Sequence, residues 1–196
     1  MLMADYDYSG FVSTFRTPGR AGTTGQKIFA IHNGAADASP AVVSVTKISV
    51  TLYATVIKAI TMAPPIIKLW KVTVLPTLGA AATKVTVDTS ESAADSLVRV
   101  FQDADADGTS ATAGALEATL PAGTFIKAIP APRIITGAGV DASTPIDFDL
   151  GKPIKLNNVE GLVVFLDYTD AGSNPTTDMW TVNCEFSHTL KSGVLL

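Results

Sequence analysis

The sequence predicts an all-β protein, a single antiparallel β-sandwich that is jelly-roll-like and carries an irregular N-terminal arm. Three features point there. Apolar residues recur at a period of two in many short segments, of which Ile146-Asp147-Phe148-Asp149-Leu150 is the cleanest. Gly, Pro, Asn and Asp punctuate those segments at close spacing, as strand-joining turns require. No stretch of ten residues sustains a helical period. The 196 residues contain no linker long enough to separate one domain from another. Residues 1–25 are therefore expected as the arm and residues 26–196 as the sandwich.

In order along the chain, the arm has no sustained period. Phe11, Val12 and Phe15 stand isolated among Ser, Thr and Gly, ahead of Arg16-Thr17-Pro18-Gly19-Arg20. Gln26–His32 reads as the first strand. Val42–Tyr53 is a long strand whose apolar phase, Val43 and Val45, slips before Ile48, Val50 and Leu52; that slip predicts a β-bulge at Thr46-Lys47. Ala54–Met62 fits either a strand or a short helical turn, and Pro64-Pro65 ends it. Ile66–Leu75 follows as a strand with Trp70, Val72 and Val74 on one side. Shorter strands are expected at Lys84–Asp88 and Leu97–Phe101. Leu116–Leu120 and Thr124–Ile129 form a pair joined by Pro121-Ala122-Gly123. After Ile146–Leu150, Gly151-Lys152-Pro153 turns the chain into Ile154–Leu156.

The segment from Gly161 to His188 organises the rest. Leu162-Val163-Val164-Phe165-Leu166 has no polar break, so both faces of that strand are expected to be buried. Trp180, Val182, Cys184 and Phe186 alternate with Thr181, Asn183, Glu185 and Ser187, which predicts one apolar and one polar face. The expectation is a central strand beside a half-exposed one in the same antiparallel sheet, with Trp180, Val182, Cys184 and Phe186 facing the core beside Leu162, Val164 and Leu166.

Composition narrows the function. Charged residues are 16%, well below the ~25% of an average domain, and 47% are apolar. A protein that buries much of its surface against neighbours has this composition, and so does a large β core with small loop residues. The net charge of −4, without a basic run, argues against nucleic-acid binding through phosphate neutralisation. The apolar runs fall far short of the ~20 residues of a membrane span, and the start resembles no signal peptide, so no membrane partner is expected. The lone Cys184 sits on the apolar face of its strand and reads as a small buried hydrophobe.

Chemical motifs are sparse. Asp103, Asp105 and Asp107, followed by Gly108, match the first half of a calcium loop, where alternate carboxylates wrap a hard cation. The twelfth position is Gly114 in place of the required Glu, so calcium is only the weaker alternative to a polar turn and no cofactor is expected. His32 and His188 are the only histidines, and no nucleophile, zinc or hydrolase motif accompanies them. An enzyme is not expected. Trp70 and Trp180 could stack on sugars, but both are in phase with aliphatic neighbours and read as core.

The opening Ala4-Asp5-Tyr6-Asp7-Tyr8-Ser9-Gly10-Phe11 resembles a family of small uncharacterised structural proteins of tailed bacteriophages. So do Pro64-Pro65-Ile66-Ile67-Lys68-Leu69-Trp70 with Val72-Thr73-Val74-Leu75-Pro76-Thr77, and Glu160–Phe165 with Asn174-Pro175 and Met179-Trp180. The resemblance carries no catalytic motif. It implies a virion structural protein, a head decoration or cement protein on the capsid exterior, assembled in the host cytoplasm. The implied partners are the major capsid protein and further copies of the chain, with a trimer favoured. A carbohydrate- or receptor-binding module of a tail or fibre is the alternative. In the first reading the arm docks on a neighbour, with Phe11 and Phe15 filling apolar pockets and Arg16 and Arg20 pairing with carboxylates.

Overall fold

The computed structural model describes residues 6–13, 17–18, 25–34, 41–54, 65–73, 80–81, 84–86, 98–102, 123–131, 141–142, 145–167 and 178–190. These residues are all β, without a helix, and every strand pair is antiparallel. The strands are β1 (Tyr6–Ser13), β2 (Thr17–Pro18), β3 (Gly25–Asn33), β4 (Ala41–Ala54), β5 (Ile66–Val72), β6 (Ala80–Ala81) and β7 (Lys84–Thr86). They continue with β8 (Val98–Gln102), β9 (Gly123–Pro130), β10 (Asp141–Ala142), β11 (Ile146–Phe148), β12 (Ile154–Leu156), β13 (Gly161–Asp167) and β14 (Asp178–Leu190).

An eight-stranded sheet is built on the longest pair, β4 and β14. Along the free side of β4, three short strands follow one another: β12 against Val43–Val45, β11 against Ile48–Val50 and β10 against Tyr53–Ala54. Along the other side of β14 lie β1 and β2, with β7 beyond β1. The β4–β14 register shifts between Glu185 and Phe186, which face Lys47 and Val45 and leave Thr46 as the extra residue. This is the bulge that the phase slip in the sequence predicts. Exposing both Thr46 and Lys47 lets Val45 and Ile48 each point into the core. The Thr46 hydroxyl donates to the Glu185 carbonyl at 3.1 Å and so caps the irregularity.

The six-stranded sheet runs β6-β8-β3-β13-β5-β9. Its centre, β13, is buried from Gly161 to Leu166, as its unbroken apolar run requires. The alternate residues Leu162, Val164 and Leu166 join Trp180, Val182, Cys184 and Phe186 in one core cluster. Val163 belongs to a second cluster with Ala30, Val72 and Phe101, against which Trp70 packs. Both faces of β13 are thus covered, by different sets of side chains.

Two expectations need correction. The strands β13 and β14 are not neighbours in one sheet: β13 lies between β3 and β5, and β14 between β4 and β1. The fully apolar strand takes the middle of one sheet and the alternating strand the other, so their buried faces meet through side chains instead of a hydrogen-bond ladder. Some of the expected irregular arm is also strand. Tyr6–Ser13 is β1, paired with β14 from Tyr6↔Leu190 to Ser13↔Asn183 and with β7 over Gly10–Val12. A backbone ladder needs no apolar period; in this segment Val12, 1% exposed, joins the core while Phe11 faces out. The expected Leu116–Leu120 strand and the ambiguous Ala54–Met62 segment lie outside the described residues, apart from Ala54 itself.

Candidate functional site

Among the described residues, the densest polar arrangement lies where β12 of the eight-stranded sheet passes into β13 of the six-stranded one. The connection is Asn157-Asn158-Val159-Glu160, and Asn33 at the end of β3 grips it. The Asn33 amide nitrogen donates to the Glu160 carbonyl at 2.9 Å, and the Val159 N–H donates to the Asn33 carbonyl at 3.0 Å. The Asn33 side-chain amide donates to the Leu156 carbonyl at 3.0 Å. Asn33 is fully buried, so these bonds are made away from water, where leaving a partner unmade costs about 1–3 kcal/mol.

Glu160 closes the turn from inside. Its carboxylate accepts from the Asn157 N–H at 2.6 Å and pairs with the Lys71 ammonium at 2.8 Å, while the Glu160 N–H donates to the Asn157 carbonyl at 3.0 Å. Burial pushes the carboxyl up, but the Lys71 hydrogen bond, the Asn157 amide and the Lys71 charge together outweigh it and hold the group below its ordinary range. Lys71 also donates to the Lys155 carbonyl at 3.0 Å, and Lys127 of β9 donates to the Asp149 carbonyl at 2.8 Å. Lys71, Lys127 and Asn33 therefore bridge from the six-stranded sheet to one margin of the eight-stranded one.

The turn is strained. Val159 has φ of 59°, the only left-handed non-glycine residue among those described, and its side chain is half exposed. A β-branched residue there costs on the order of 1–3 kcal/mol. His32, 3% exposed, sits beneath it. Neither ring nitrogen completes a hydrogen bond, although the imidazole lies toward the Val159 carbonyl. Burial, reinforced by Arg99 opposite it on β8, holds its pKa below the ordinary histidine value against the opposing pull of that carbonyl.

A second surface feature is the edge strand β9. Phe125 is 47% exposed, and its ring lies 5.9 Å from that of Trp70 at an interplanar angle of 59°. Gly123 lies so close to Trp70 and the Lys71 carbonyl that any side chain there would collide with them. Nearby, the ammonium of Lys68 and the carboxylate of Asp167 form an ion pair across β5 and β13.

The residues singled out from the sequence are scattered. Phe11 is exposed on β1. Phe15, Arg16 and Arg20, and the carboxylates Asp103, Asp105 and Asp107, lie outside the described residues. His32 and His188 are both buried and occupy different sheets. Trp180 is a core residue, whereas Trp70 is only partly buried. Cys184 is buried, and burial, with the Glu185 charge adding to it, pushes its thiol far up, which suits a packed hydrophobe. The Asn33–Glu160 arrangement escapes sequence reasoning because Asn33 and Glu160 are far apart in the chain; Asn157-Asn158 reads only as a turn. Comparison with known proteins returns no matching family model, no matching curated protein and no matching solved structure.

Proposed function

We propose that the protein is a non-enzymatic structural component of a bacteriophage virion: a head decoration or cement protein that stabilises the capsid by binding the major capsid protein. It acts as a homo-oligomer, with a trimer favoured, on the capsid exterior, and needs no cofactor. In this reading the two sheets stack as a jelly-roll-like sandwich, supported by a core cluster drawn from both of them. The observation that carries the docking role is the outer face of the eight-stranded sheet. There Phe11 stands out at 44% exposure in a row with Glu185 and Lys47, and Lys47 lies 4.0 Å from Asp147 of β11. A polar face with a projecting aromatic ring fits a partner that supplies an apolar pocket. The resemblance of Ala4–Phe11 and Glu160–Phe165 to phage structural proteins supplies the context.

The test is co-sedimentation with purified capsids, together with the copy number in particles relative to the major capsid protein. Wild type should sediment at a fixed ratio, and Phe11→Ser should bind at least tenfold more weakly while remaining folded, since a central interface aromatic is commonly worth more than ~1.4 kcal/mol. Absence from purified particles would overturn the proposal.

One observation favours the second reading, a carbohydrate- or receptor-binding module of a tail or fibre. The Trp70–Phe125 pair offers a partly exposed aromatic surface beside a sheet edge. A glycan array screened with wild type and Phe125→Ala separates the two readings: specific glycan binding lost in the variant supports the module.

A further inference from the structure

The Asn157–Gly161 turn holds a strained residue beside a buried imidazole, and Asn33 joins the two. Val159 is left-handed, its N–H donates to the Asn33 carbonyl, and the Asn33 N–H donates to the Glu160 carbonyl. His32 is next to Asn33 in the chain and pairs with Gly161 across β3 and β13. The slot is tight: a Cβ on Gly161 would lie 3.3 Å from His32 Cδ2 and 3.2 Å from the Ile31 carbonyl. The imidazole therefore packs directly beside Gly161, where the turn enters β13.

We propose that this turn is an acid-released latch: a proton taken up by His32 drives the imidazolium out of its slot, and the Asn157–Gly161 connection opens with it.

The surrounding charges set the direction. From β8, Arg99 stands opposite His32 and repels an imidazolium. From the turn, the Glu160 carboxylate is held by the Asn157 N–H and the Lys71 ammonium. From β5, the residue on the same side of Gly161 as His32 is Val72, which brings no charge. Among the described residues no free carboxylate faces His32. Neutral imidazole fits the slot, and the protonated ring gains more by reaching water. One proton is bound per opening. Val159 then relaxes, and the Asn33 bonds to Leu156, Val159 and Glu160 break, freeing the seam between the two sheets at this margin. The lowered pKa of His32 agrees with that direction. In the closed state the ring resists protonation, so acid favours whichever state exposes it.

The test is residue-resolved amide hydrogen exchange on the full chain between pH 7.5 and 5.0, corrected for intrinsic rates. Protection of the Asn33, Val159 and Glu160 amides should fall by up to tenfold per pH unit below about 6.5, while Val50 and Val164 in the strand centres keep theirs. His32→Gln should remove that pH dependence. His188→Gln should retain it, which assigns the dependence to His32. A direct NMR titration of the His32 ring in wild type gives a second reading, free of any folding defect in the variants. It should show the ring's protonation tracking the Val159 amide shift. The proposal fails if protection of these amides does not change over the range. It also fails if His32→Gln keeps the full dependence, or if the ring titrates without any response at Val159.

Discussion

Replacing Phe186 by Ala tests the phase of β14 and, through it, the packing of the two sheets. Phe186 is 7% exposed, faces Val45 immediately beside the Thr46 bulge, and shares the core cluster with Leu162, Val164 and Leu166. A buried aromatic side chain removes roughly 150–250 Å² from water, about 4–6 kcal/mol at ~25 cal/mol/Å². Alanine retains the Cβ and its surroundings partly collapse, so the expected loss is about 3–5 kcal/mol. That is a large share of the ~5–15 kcal/mol that stabilises a typical domain. The matched control is Asn183→Ala on the opposite, exposed face of the same strand, expected to stay within ~0.5 kcal/mol. Urea unfolding followed by tryptophan fluorescence reads both, with an unchanged m-value as the condition for comparing them. A loss below ~0.5 kcal/mol for Phe186→Ala, or equal losses in the two variants, would refute the assignment of this face to the core.

Gly123→Ala should destabilise by about 1–3 kcal/mol in the same assay, because the added Cβ would sit 2.2 Å from the Lys71 carbonyl and 2.7 Å from Trp70 Nε1; unchanged stability would mean that β9 does not pair with β5 at Val72. Glu160 makes stability fall in acid: its folded pKa is lowered, so its contribution is present above the unfolded value and is lost as pH falls through the folded one. Wild type should therefore lose more unfolding free energy than Glu160→Gln between about pH 5 and pH 3, measured by urea titration at each pH. Cys184 should resist a thiol reagent in the native protein and react fully in denaturant, because its buried thiol is held protonated; labelling of native protein within minutes would contradict its place in the core.

The sequence by itself determined the long apolar strands and their faces. Alternation in Trp180–Phe186 and the unbroken run Leu162–Leu166 state which side chains must leave water, and the slip between Val45 and Ile48 marks the bulge, because side-chain direction along a strand is set by local backbone geometry alone. Tertiary structure decided which strands pair. That β13 and β14 lie in different sheets depends on partners distant in sequence, since a ladder bonds backbone to backbone and reads no side-chain code. For the same reason Tyr6–Ser13 becomes a strand without an apolar period. The Asn33–Val159–Glu160 arrangement depends on tertiary structure most of all. Its bonds join residues more than a hundred positions apart, and the left-handed conformation of Val159, which local preference opposes, persists because Asn33 and Lys71 hold the turn around it.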